Sequence, residues 1–158
     1  MKNRPLMIKL AIPEKLQPYI DEYIEWAKVN LEKVHASEIT LVSPLGYAGQ
    51  MDCLGHVNGK LAVIDFKTQK YKNNKPSYWD TWLPQLVAYR EALPKDFHEP
   101  FGTKQNPRVI SVTINSLEPQ PVTHKVWTVA EAKVALSTFK SALKIWQNQH
   151  KYKPKHAK

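Results

Sequence analysis

Apolar residues recur at spacings of three and four through the first quarter of the chain. Ile20, Tyr23, Ile24, Ala27, Leu31 and Val34 fall on one stripe with acidic and amide residues between them, which predicts an amphipathic helix from Pro18 to Val34. Trp26 lies off that stripe and reads as a partly covered surface aromatic. The period then shortens toward two. Glu38 to Ser43, Tyr47 to Val57 and Lys60 to Lys67 read as strands, separated by Pro44-Leu45-Gly46 and by Asn58-Gly59. Asn-Gly between two such runs predicts a two-residue hairpin turn, because both turn positions need positive φ. A polar loop follows from Lys70 to Tyr78. A helix capped by Asp80 or Thr81 then runs to about Leu93, with Pro84 in its first turn. Arg108 to Asn115 alternates as a strand with Ile110, Val112 and Ile114 on one face, and Val122 to Trp127 is a candidate edge strand. Thr128 with Glu131 three residues later has the form of a capping box, opening a helix through Ala132, Leu136, Phe139, Leu143 and Trp146.

A length of 158 residues suits one core. We expect a single domain over residues 1–150 and a polar, mobile tail over 151–158. No run is long or apolar enough for a membrane span, and the start lacks the h-region of a secretory signal, so an intracellular, cytoplasmic protein is expected. Cys53 is the sole cysteine and reads as a core residue.

Charge sharpens the picture. There are 23 Lys and Arg against 14 Asp and Glu, a net charge of +9, which favours polyanionic partners. Lys70, Lys72 and Lys75 share a segment with Tyr71, Tyr78, Trp79 and Trp82, while Lys151, Lys153, Lys155 and Lys158 crowd the end. Cations interleaved with aromatics suit phosphates and stacked bases.

If Asn58-Gly59 is a two-residue turn, opposed residues sum to 117, so Asp52 faces Asp65 and Lys67 shares their face. Leu54 and Val63 fall on the same face, with Met51, Cys53, Ile64 and Phe66 on the other. Opposed like charges destabilise a hairpin. Either a divalent cation lies between the aspartates, with a backbone carbonyl as a further ligand, or one aspartate pairs with Lys67 or lies at a solvated edge. His56, His98, His124 and His150 lack metal-ligand spacing. No Gly-rich phosphate loop is present, so no nucleotide cofactor is expected.

Gly49-Gln50-Met51-Asp52, Ile64-Asp65-Phe66-Lys67-Thr68 and Gln85-Leu86-Val87-Ala88-Tyr89 together resemble the PD-(D/E)XK nuclease superfamily. Their order is similar to its RecB-like branch, which includes the mitochondrial genome maintenance exonuclease. The resemblance covers about Glu38 to Leu93. It implies a restriction-endonuclease-like α/β (α+β) core, a mixed sheet of four or five strands flanked by helices. It also implies a DNA nuclease dependent on Mg²⁺ or Mn²⁺, acting at ends or on single strands in recombination, repair or phage replication. An inactive DNA-binding module and a structure-specific or RNA-directed endonuclease are the alternatives.

By the same resemblance, Asp52, Asp65 and the Phe66 carbonyl ligate the metal, and Lys67 orients or activates water. Gln85 and Tyr89 support the centre and contact the substrate phosphate. Met51 stands where the superfamily name has proline. Residues 1–34 hold no histidine to serve as the extra ligand of many RecB-like members, which leaves Glu38 as the candidate, with His35 read as a surface residue. One cysteine excludes an iron-sulfur cluster. So short a chain lacks enclosing insertions, and processivity would call for a homo-oligomer or a helicase or recombination partner.

Overall fold

The computed structural model describes residues 12–94 and 107–155. After a 3₁₀ turn at Glu14–Leu16 come α1 (Gln17–Asn30), β1 (Leu31–Ser43), β2 (Tyr47–Val57) and β3 (Lys60–Gln69). A 3₁₀ turn at Asp80–Trp82 leads into α2 (Leu83–Ala92), then β4 (Arg108–Asn115), β5 (Thr123–Val126) and α3 (Val129–Gln149). The strands form one sheet in the order β1-β2-β3-β4-β5, antiparallel except for the parallel β3–β4 pair. This is the expected mixed, five-stranded, restriction-endonuclease-like α+β architecture.

The Asn58-Gly59 turn forms as predicted, with φ of +49° and +73°, and Val57 pairs with Lys60. Alternation along β3 divides the core. Leu61 and Val63 pack with Leu86 and Val87 of α2 and Ala132 and Ala135 of α3. Ala62 and Ile64 pack with Trp26 of α1 and with Ile110 and Val112 of β4. The capping box is present: Thr128 Oγ1 accepts from the Glu131 amide at 3.2 Å, and Glu131 Oε2 accepts from the Thr128 amide at 2.8 Å.

Several expectations are corrected. The first helix stops at Asn30, four residues short of Val34, because the Asn58 amide takes the Asn30 carbonyl at 3.1 Å and Leu31 pairs with Val57. Strand pairing there outweighs the helical stripe, so β1 begins seven residues before the expected Glu38. Trp26 is core, only 6% exposed, with Nε1 donating to His124 Nδ1 at 3.0 Å, so it is not the surface aromatic expected. His35 likewise engages His56, Nε2 to Nδ1, at 2.7 Å.

Met51 changes face. It packs with Leu54 and Val63, three residues from Leu54 rather than an even number, so alternation breaks at Asp52. Across the β1–β2 ladder Glu38 has φ of +53°, and Ala36 and Ile39 straddle it on that same face. Beyond α3, Tyr152 and Pro154 lie so close over Gly46 that a Cβ there would meet them at 2.7 and 2.9 Å. Gly46, at φ +87°, supplies both the turn and the space. Among the described residues no helix is long and apolar enough to cross a membrane.

Candidate active site

The β2–β3 ladder ends one pair short of the aspartates, at Cys53 with Ile64. Asp52 and Asp65 are therefore not a regular opposed pair. Instead the Asp52 carboxylate reaches into the widening gap and its Oδ2 accepts the Phe66 amide at 2.8 Å. That bond replaces the missing ladder contact and fixes the orientation of the carboxylate. The break in alternation at Asp52 is what frees it for this role.

Asp65 continues the buried face of β3 and is only 2% exposed. Lys67 Nζ donates to its Oδ1 at 3.0 Å and lies 2.8 Å from Oδ2, but the second approach is off hydrogen-bonding geometry. Oδ2 is buried and is held by the lysine's charge without a well-directed hydrogen bond. Burial raises the Asp65 carboxyl above the ordinary carboxylate range; the Lys67 hydrogen bond and charge pull it down, and Asp52 pushes it up. Lys67 is thus the structural partner of Asp65, as one of the two readings of the hairpin requires. The other reading is not displaced, because one lysine satisfies one oxygen of two carboxylates.

A relay extends from the lysine. Lys67 Nζ lies 3.4 Å from Gln85 Oε1, and Gln85 Nε2 donates to the Tyr89 hydroxyl at 2.7 Å. Spacing of four places both on one face of α2. The Tyr89 ring packs on Gly49, where a Cβ would meet Cε1 at 2.6 Å. Tyr47 anchors the same helix, its hydroxyl donating to the Ala88 carbonyl at 2.9 Å. The parallel register sets Asp65 beside Ser111, Lys67 beside Thr113 and Gln69 beside Asn115, a buried polar row bordering the centre.

The donor set fits a hard divalent cation. Two carboxylates lie near one another, one fixed by a backbone amide and one buried with a single lysine charge against it, and cations of this kind take oxygen ligands and retain waters. Glu38 is exposed and does not join them: among the described residues no three His, Cys, Asp or Glu side chains come within reach of one ion. Cys53, next to Asp52, is 4% exposed, and burial with the nearby Asp52 charge pushes its thiol up to about 11, which makes it inert core.

The aromatic and basic residues divide into two groups. The loop after β3 is not merely polar: Lys72 and Lys75 exchange backbone hydrogen bonds at 3.1 Å around Asn73-Asn74, with φ of +53° and +57°. Tyr71 clamps it by donating to the Thr113 carbonyl at 2.8 Å, and the Tyr78 hydroxyl meets Thr123 Oγ1 at 2.9 Å. Sequence offers no signal for Thr113 or Thr123, whose role depends on strand register. Lys70, Lys72 and Lys75 are exposed on this clamped loop, and Trp79, 58% exposed, has its ring 5.7 Å from that of Trp82. Lys151, Lys153 and Lys155 belong to the folded-back tail and are partly to fully exposed beside the β1–β2 turn.

Among curated proteins none matches the chain. The sequence model of the PD-(D/E)XK nuclease superfamily matches residues 4–157, nearly the whole length, and members of that superfamily are generally metal-dependent nucleases that typically use Mg²⁺ or Mn²⁺. With aspartates on two adjacent strands and a lysine two residues beyond the second, this chain belongs to the PD-(D/E)XK nuclease superfamily.

Proposed function

We propose that this domain hydrolyses DNA phosphodiester bonds at a divalent-cation centre, acting from free ends or on single-stranded segments, as RecB-like exonucleases of recombination, repair or phage replication do. The observation that carries the reading is the buried Asp65 carboxylate, offset by the single charge of Lys67 and left with no well-directed hydrogen bond at Oδ2, beside an Asp52 carboxylate fixed by the Phe66 amide. Asp52, Asp65 and the Phe66 carbonyl hold Mg²⁺ or Mn²⁺. Such an ion, when bound, lowers the pKa of water and stabilises charge on the phosphoryl oxygens.

The chain's own residues supply the rest. Lys67, held between Asp65 and Gln85, orients the attacking water and offsets the charge gathering on the phosphate. Gln85 and Tyr89 position that phosphate, and the ring of Tyr89 is kept in place by Gly49. Trp82, Gln85 and Tyr89 follow at spacings of three and four along the Asp80–Trp82 turn and α2, and Trp79, extended just before the turn, lengthens the track with its ring 5.7 Å from that of Trp82. Bases of a single strand stack on its two indoles, while Lys70, Lys72 and Lys75 meet the backbone.

End-labelled linear DNA and covalently closed circular DNA, incubated with Mg²⁺, Mn²⁺ or EDTA, test this. Linear and single-stranded substrates should shorten with either metal and the closed circle should survive. Digestion undiminished in excess EDTA would overturn the metal centre, and a nicked circle would overturn action from ends. Lys67→Ala should abolish cleavage while DNA affinity changes less than about threefold, since one cation among many adds modestly to electrostatic binding. Equal loss of both would remove Lys67 from the chemistry.

A further inference from the structure

At the other end of the sheet from the carboxylates lies a cleft of about 930 Å³ that the nuclease reading does not use. Lys60 stands at its edge and Lys67 at the active site, on one strand and seven residues apart, a separation of about 23 Å at strand rise. The floor is apolar: Leu61, Val109, Trp127 and Ala132 are each under 5% exposed, with Leu136 beside them. The rim is cationic, formed by Lys60, Arg90, Arg108 and Lys133, against one acid, Glu91.

Among the described residues Lys60, Arg108 and Lys133 enter no ion pair. Arg90 meets Glu91 only at 3.5 Å, its side chain is 12% exposed, and its Nε is a buried donor without an acceptor. A near-buried guanidinium with so long an ion pair is costly, and an anion brought near it would offset that cost.

We infer that this cleft is a docking site for a short acidic peptide segment of a partner protein, its carboxylates on Arg90, Arg108, Lys60 and Lys133 and an apolar side chain seated on the floor. Nucleic acid fits less well. A phosphate backbone gains nothing from a recessed apolar floor. The one indole there also offers no free face for a base: Trp127 is 3% exposed, Lys125 Nζ sits 3.6 Å over its ring, and its Nε1 donates to Ser111 Oγ at 2.9 Å. A pocket of this size accepts one or two large side chains, with charged groups at the rim setting orientation. The site would recruit the domain to a partner while leaving the carboxylate end open.

The test is fluorescence anisotropy of the intact protein with a fluorescein-labelled peptide of three aspartates followed by leucine and phenylalanine. Micromolar binding is expected, weakened at least about tenfold when asparagines replace the aspartates, and again when serines replace leucine and phenylalanine. The Arg108→Glu, Lys133→Glu double variant should lose binding by a similar factor while keeping the wild-type Tm and nuclease rate. Because the peptide changes leave the protein untouched, they decide the matter even if the double variant folds poorly. Absence of binding, or binding indifferent to either peptide change, overturns the proposal. So does displacement of the peptide by an equally charged oligothymidylate, which would make the cleft a phosphate track.

Discussion

Asp65 shows how one residue can work against stability for the sake of chemistry. Its carboxyl is raised first by burial and further by Asp52, with Lys67 offsetting only part. Because the folded value lies above the unfolded one, the proton favours the folded state. The metal-free protein therefore bears the full penalty at neutral and alkaline pH and sheds it as pH falls through the raised value. Asp65→Asn should accordingly melt higher than wild type in EDTA at pH 8, by about 1 kcal/mol on the scale of replaced buried charges, with the gap closing near pH 4. Paired thermal melts at the two pH values check this, and an Asn variant that melts lower at pH 8 would make the Lys67 pair a net stabiliser. The nearness of Asp52, Asp65 and Lys67 was legible from spacing around an Asn-Gly turn, but the direct opposition of the aspartates was not realised, because the ladder stops at Cys53 and Ile64. The face of Met51 and the exclusion of Glu38 were not, because a break in alternation, with Glu38 at φ +53°, has no residue signature. Trp26 was misplaced for a similar reason: its partner, His124, is 98 positions away.

Elements were readable where their ends are local and misread where a distant strand ends them. The capping box at α3 is written in four consecutive residues and formed as expected, whereas Asn30 terminates α1 through an amide in the β2–β3 turn. The cap also carries a pH signature. Hydrogen bonds from the Thr128 backbone, Lys125 and the Thr128 hydroxyl hold the Glu131 carboxyl down at about 2. Its contribution is then complete above the unfolded carboxylate range and is lost as pH falls toward 2. Glu131→Ala should lower stability by roughly 0.5–2 kcal/mol at pH 7, as lost caps do, and match wild type near pH 2. Urea titrations at the two pH values measure this, and a deficit that persists at low pH would assign the effect to packing. The loop after β3 was legible in composition alone, because its two-asparagine turn is local but its tyrosine clamps on Thr113 and Thr123 depend on a sheet not yet assembled.

At the scale of the whole molecule, the chain beyond α3 folds back over the β1–β2 turn as far as Pro154. A polar composition hid this, since Tyr152 and Pro154 need only the space above Gly46. Deleting everything after Gln149 would confound charge with packing, so Lys151, Lys153 and Lys155 are better changed together to Gln. If they contact phosphates, the slope of log affinity against log salt should fall by about 0.7–0.9 per contact while Tm holds. An unchanged slope would leave them as solvated charge. The early end of the β2–β3 ladder has one more consequence, for exchange kinetics. Cys53 belongs to the last paired rung before the strands part, beside Asp52, and is the only thiol in the chain. Its burial protects it from thiol reagents, so labelling by excess Ellman-type disulfide should report how often that rung opens. A cation drawn between Asp52 and Asp65 would act as a clasp below the rung. Millimolar Mg²⁺ should then slow labelling severalfold in wild type and leave Asp52→Asn unaffected, which would turn a buried cysteine into a clock for the metal centre that runs without any DNA.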